Sequence, residues 1–130
     1  MDKVNKNITL REISADTVRS ICDLLVTEVQ NNYVAPNATS IAEAYYSDDA
    51  WFRARYADET PVGFAMLEIR PEKAHYYLWR FMIDARYQRS GFGSRAMQLL
   101  MEHVKVQPGA TKLLTGDDSP QGFMKTLDFI

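Results

Sequence analysis

From residue 8 the segment ITLREI alternates, with Ile8, Leu10 and Glu12 on one side and Thr9, Arg11 and Ile13 on the other, which predicts a first β-strand. The period then lengthens. Val18, Ile21, Cys22, Leu25, Val26 and Val29 recur at three- and four-residue spacing, the apolar stripe of an amphipathic helix that Ser14 or Asp16 can cap. Residues 31–39 (NNYVAPNAT) read as a loop, and Ser40 is placed to cap a short helix, IAEAYY. WFRARYA predicts a second strand, with DETP as its turn. VGFAMLEI is apolar on both faces and so belongs in the middle of a sheet. After the turn RPEKAH, YYLWRFMID predicts another two-sided strand.

Helical spacing returns at Phe92 and runs to about Val106. Ala96, Met97, Leu99, Leu100, Met101 and Val104 form its apolar side, and Arg95, Gln98, Glu102 and Lys105 its polar stripe, closed by Pro108 and Gly109. TKLLT predicts a short strand, GDDS a turn, and PQGFMKTL a helix opening on Pro120. The order βα(α)βββαβα describes a mixed α/β fold, read as one domain over residues 1–130.

Composition narrows the classes. Hydrophobic residues make up 46% and charged residues 25%, with a net charge of −2, so the basic excess of a nucleic-acid binder is missing. No apolar run is long enough to span a bilayer, and the first ten residues carry no apolar leader segment. A single cysteine cannot build a disulfide framework, which fits a reducing compartment; a cytoplasmic location is expected. Cys22, set among Val18, Ile21 and Leu25, reads as a small buried hydrophobe. Two scattered histidines and one cysteine offer no metal ligand set, so no metal is expected.

The chemistry concentrates in DARYQRSGFGSRAM, residues 84–97. A strand end, a glycine-bearing turn and a helix start bring together unpartnered backbone N–H groups and the positive end of a helix dipole. Gly91 and Gly93 remove the Cβ atoms that would hold a pyrophosphate off the backbone, and Arg86 and Arg89 add full charges. The same glycines would also serve a plain tight turn, so spacing alone leaves both readings open. A P-loop is excluded because no lysine follows either glycine, and a dinucleotide-binding unit because the turn comes late and lacks a third glycine.

This segment resembles the phosphate-binding motif Q/R-x-x-G-x-G/A of the GCN5-related N-acetyltransferases, reading here Gln88-Arg89-Ser90-Gly91-Phe92-Gly93. LWRFMID, RYQ and SRAMQLLMEHV resemble the flanking strand, turn and helix, and the likeness runs from ITLREI to FMKTLDF. YVAPNATSIAEAY together with LWRFMIDARYQ is most similar to bacterial diamine and polyamine acetyltransferases. The resemblance implies an acetyl-CoA-dependent enzyme that acetylates a primary amine. It implies that backbone amides from Arg89 to Ser94 hold the pyrophosphate, and that the main chain of Phe81, Met82 and Ile83 pairs with the pantetheine.

The pattern also departs from the family. Met124 stands where many members place a tyrosine that protonates the departing thiolate, and a thioether donates no proton. Ser119 occupies the position of the family's asparagine, and Asp128 that of a glycine. The usual final two strands have no counterpart by Ile130, so the edge of TKLLT is expected to be covered by a second chain, giving a homodimer.

An amine of pKa ~10 arrives protonated and needs groups that attract a cation and accept its proton. Glu28, Tyr33, Glu43 and Trp79 are candidates for binding it, with Tyr45 and Tyr46 read as helix packing. Glu68 is the candidate proton acceptor, either lining the cleft or salt-bridged, with Arg80 as a possible partner. A CoA-binding module without turnover, and an acetyltransferase of protein lysines or N-termini, are the competing readings.

Overall fold

The computed structural model describes residues 7–26, 36–88, 92–116 and 124–128, with the backbone alone at 92, 93, 116 and 124–128. Its strands form one six-stranded sheet in chain order: β1 (Ile8–Arg11), β2 (Ala50–Ala57), β3 (Thr60–Arg70), β4 (His75–Ile83), β5 (Lys112–Gly116) and β6 (Met124–Asp128). Neighbouring strands are antiparallel except β4 and β5, which run parallel and are joined through helix α3 (Phe92–Lys105). The shorter helices α1 (Val18–Cys22) and α2 (Asn37–Tyr45) lie between β1 and β2 in the chain. This is the mixed α/β architecture that the sequence pattern predicts.

The two-sided apolar run of β3 explains the layering. Phe64 and Met66 pack with Ile21 of α1 and Ala44 of α2, while Ala65 and Leu67 pack with Leu100 and Val104 of α3; all four strand residues are 0% exposed. Ala96, Leu100 and Val104 follow one another at four-residue spacing down the buried side of α3, and Arg95, Gln98, Glu102 and Lys105 stay exposed as their spacing predicts.

Helix α1 stops at Cys22, well short of the predicted Val29. In a continuing helix the Leu25 N–H would donate to the Ile21 carbonyl. Here the Asn37 amide takes that carbonyl at 2.8 Å, and Leu25 N–H turns to the Asp84 carboxylate at 3.0 Å. Leu25 is therefore exposed, Leu24 stays in the core, and Cys22 is half-buried, not enclosed as its neighbours suggested. Helix α2 begins at Asn37 just after Pro36, so Ser40 sits buried in its second turn and caps nothing. Tyr45 and Tyr46 do not pack that helix: they are 82% and 87% exposed and touch each other edge to face.

The helix predicted from Pro120 is also corrected. Residues 120–123 lie outside the described part, and Met124–Asp128 is a strand, paired antiparallel with β5 from Lys112 opposite Asp128 to Gly116 opposite Met124. The β5 edge is thus covered by its own chain, which removes the reason for expecting a second chain there. Among the described residues no helix is long and apolar enough to cross a membrane.

One core position runs against the pattern. Arg55 of β2 is wholly buried, with its guanidinium 3.8 Å from the centre of the Phe81 ring and one nitrogen on the Met82 carbonyl. Nε and Nη1 have no hydrogen-bond partner among the described residues, and burial pulls the group down to about 9, still charged at neutral pH. A buried charge without a counter-ion costs more than its contacts return, so Arg55→Met is expected to stabilise the fold by about 2 kcal/mol. The urea midpoint should rise at constant slope; a midpoint that falls would show that the guanidinium contributes to stability.

Candidate active site

The site starts from a divergence between two parallel strands. Among the described residues β4 and β5 pair only at Tyr77 with Leu114 and Leu78 with Thr115. Trp79 follows as a bulge, because Met66 pairs with Arg80 while Leu67 pairs with Leu78. Beyond it, among the described residues, β4 runs on to Ile83 paired with β3 alone. Asp84 N–H donates to Val62 O at 2.8 Å, so by antiparallel alternation the polar main-chain groups of Phe81 and Ile83 point away from β3, into the gap. Gln88 reaches back to this edge and donates to the Ile83 carbonyl at 3.0 Å. Met82 points its side chain into the core, and Phe81 and Ile83 are half-buried, as core side chains along such an edge should be.

The chain then folds through a short 3₁₀ turn, Ala85–Tyr87, toward α3. Asp84 organises it. Its carboxylate, 3% exposed, accepts from the Arg86 N–H at 3.0 Å, the Arg86 guanidinium at 2.8 Å and the Leu25 N–H at 3.0 Å. Burial alone would push this carboxyl up; the hydrogen bonds and the Arg86 charge outweigh it and hold the group below the usual range. Arg86 is therefore committed to Asp84 and is not the free cation expected beside the glycine turn. Asp84 carries no catalytic motif, and its one signal in the sequence is that of a turn cap, an aspartate between a strand end and an arginine two residues on.

Of the residues expected to seat phosphates, Gln88 lies at the strand edge, Ser94 is exposed on the first turn of α3, and Phe92 and Gly93 begin that helix. Arg89, Ser90, Gly91 and Ser119 lie outside the described residues, as do Glu28 and Tyr33. Met124, at the position of the family's tyrosine, belongs to β6.

The described acceptor candidates, Glu43 and Trp79, lie on the α1–α2 face of the sheet. Trp79 packs against the cluster of Ala44, Phe64 and Met66. Arg80 donates to the Trp79 carbonyl at 3.1 Å and to Glu43 of α2 at 2.9 Å, so Glu43 and Trp79 meet at the bulge through Arg80. Arg80 is thereby not the partner of Glu68. That carboxylate is held by His75 at 3.1 Å and Arg70 at 3.4 Å, and Arg70 extends the network to Asp49 at 3.0 Å. Glu68 stands opposite Tyr77, where β4 and β5 are still joined, one residue short of the point at which they part.

The arrangement combines a free strand edge, a helix start beyond it, and a carboxylate–aromatic group at the vertex. The profile of the acetyltransferase (GNAT) family matches residues 18–129. Among curated relatives, the L-2,4-diaminobutyric acid acetyltransferase of Streptomyces avermitilis is 40% identical over 63 residues, 48% of this chain and 35% of that protein. The spermine/spermidine N(1)-acetyltransferase of Bacillus subtilis strain 168 is 29% identical over 108 residues, 75% of this chain and 68% of that protein. The match thus spans about a third of the first relative's length and about two thirds of the second's. Among solved structures, the PaiA N-acetyltransferase of Thermoplasma acidophilum, in complex with coenzyme A, superposes with a TM-score of 0.65 at 14% identity, over 95% of this chain and 99% of that one.

Proposed function

This chain belongs to the acetyltransferase (GNAT) family, and from that premise we propose that it transfers acetyl from acetyl-CoA to a primary amine, with a small diamine or polyamine as acceptor. The observation that carries the reading is the parting of β4 from β5 after Leu78, which leaves the main chain of Phe81 and Ile83 facing a gap that leads toward the start of α3. Pantetheine carries amides at the spacing that such an edge can pair, as an added strand would. The backbone from Arg89 to Ser94, with its two glycines, then receives the pyrophosphate at the helix start.

The residues at the vertex supply what the acceptor needs. An ammonium is drawn by the Glu43 carboxylate, which exchanges part of its bond to Arg80, and by the face of Trp79. Glu28 and Tyr33 are the further residues proposed to bind it. Once its proton is lost, the amine nitrogen attacks the thioester carbonyl, and the thiolate of CoA departs as the amide forms. Glu68 is the proposed acceptor of the proton; its hydrogen bond to His75 offers a path onward to solvent. The departing thiolate, of pKa ~8.5, leaves without the family's tyrosine; the second proton, shed by the nitrogen as the amide forms, passes to it through water.

Release of free CoA should be followed with acetyl-CoA and spermidine, L-2,4-diaminobutyrate or a lysine peptide. Saturable release with a small diamine or polyamine is expected. Release with the peptide alone would make it a protein acetyltransferase, and tight acetyl-CoA binding without release to any amine would make it a binding module.

A further inference from the structure

The turn before α3 and the segment after α1 meet at one carboxylate. Asp84 Oδ2 accepts from Leu25 N–H at 3.0 Å, and Ala85 N–H returns a bond to the Leu25 carbonyl at 2.7 Å. Asp84 Oδ1 accepts from the N–H and Nε of Arg86 at 3.0 and 2.8 Å. Two hydrogen bonds therefore tie residue 25 to residues 84 and 85, across some 59 positions of sequence, and two more tie Asp84 to Arg86, with the Asp84 carboxylate itself buried. On one side, Arg86 lies two residues before Gln88 and three before Arg89; on the other, Leu25 lies three residues before Glu28.

We infer that Asp84 is a positioning residue that couples the cofactor seat to the acceptor side of the site. This role rests on the function proposed above. Asp84 touches neither substrate in that reading. It fixes the path of the turn that delivers the phosphate-binding backbone, and it fixes the last residues before the segment that carries Glu28 and Tyr33. The carboxylate is engaged by Leu25 N–H and by Arg86, and Ala85 N–H bonds the Leu25 carbonyl beside it, so displacement of the turn by a bound pyrophosphate is transmitted to Leu25 through the carboxylate and this adjoining backbone bond.

Asp84→Asn separates the two sides without removing bulk. An amide has one oxygen and one NH₂, so in either orientation it sets a donor against a donor, at Leu25 or at Arg86. In the wild-type protein, saturation with CoA should shift the amide resonances of Leu25 and Val26. In Asp84→Asn that response should shrink markedly, leaving what the Ala85–Leu25 backbone bond carries, and CoA affinity measured calorimetrically should fall about tenfold, the size of a typical coupling. Arg86→Met, which changes an exposed side chain and keeps the Leu25 bond, should retain the response at Leu25; it also serves if Asp84→Asn does not fold. A folded Asp84→Asn protein with an unchanged response, or a folded Arg86→Met protein that loses it, overturns the coupling while the acetyltransferase reading stands. Absence of CoA binding by the wild-type protein overturns both.

Discussion

Gly63→Ala should unfold this protein or leave it about 3 kcal/mol or more less stable, among the largest losses a single methyl can cause. A Cβ at Gly63 would overlap the Met82 carbonyl oxygen and lie 2.9 Å from Arg55 Nε. The first obstacle is backbone, in the strand paired directly with β3 at this point, and it cannot rotate aside. Relief would require β3 and β4 to part where Gly63 faces Ile83, beside the edge proposed to take pantetheine. The urea midpoint should fall accordingly, and acetyl-CoA binding should weaken with it. Combining the change with Arg55→Met removes the lesser obstacle and keeps the greater one, so the double variant should remain strongly destabilised. A Gly63→Ala protein within about 1 kcal/mol of wild type would mean that β3 and β4 have room at this point that the structure does not show.

Gly91→Glu should abolish acetyl-CoA binding while leaving the fold intact. Position 91 lies between Gln88, which bonds the β4 edge, and Phe92, where α3 begins. Substitution there adds a side chain against the backbone that should lie closest to the pyrophosphate, and gives it the same charge sign as the ligand. Like charges forced together cost several kcal/mol, so affinity should fall by about 100-fold or more. Calorimetric titration should show binding to the wild-type protein and none to the variant at the same concentrations, with coincident melting curves. Equal affinities would place the phosphates elsewhere and remove the glycine turn from the site.

Where burial pattern alone decides the structure, the sequence is readable. Phe64 to Leu67 are apolar in succession and all four are buried, and the four-residue spacing of Ala96, Leu100 and Val104 marks the inner side of α3. Where a distant side chain decides, it is not. The stripe from Val18 to Val29 favours a long helix, and only Asn37 on the Ile21 carbonyl and Asp84 on the Leu25 N–H end it early. No periodicity at residues 18–29 contains those partners. The sequence predicts Met124–Leu127 as the end of a helix, but the segment is too short for its periodicity to decide, and pairing with β5 makes it a strand. Candidate site residues were found through charge and motif, but their pairing was not. Arg80 bonds Glu43 in preference to Glu68, because the bulge at Trp79 turns it toward α2. Arg55, the one buried cation without a counter-ion among the described residues, breaks the hydrophobic pattern of its position and had no signal in a strand that otherwise alternates.

The central claim is that the β4 edge freed after Leu78 receives the pantetheine arm, and amide hydrogen exchange at Phe81 and Ile83 tests it most directly. Exchange should be compared in the free protein, with acetyl-CoA, and with 3′-phospho-ADP, which has the phosphates and lacks the arm. Acetyl-CoA should slow both amides strongly, and the nucleotide alone should leave them near their free rates. Equal protection by both ligands, or none by acetyl-CoA at saturation, would contradict the claim that this edge pairs with the cofactor.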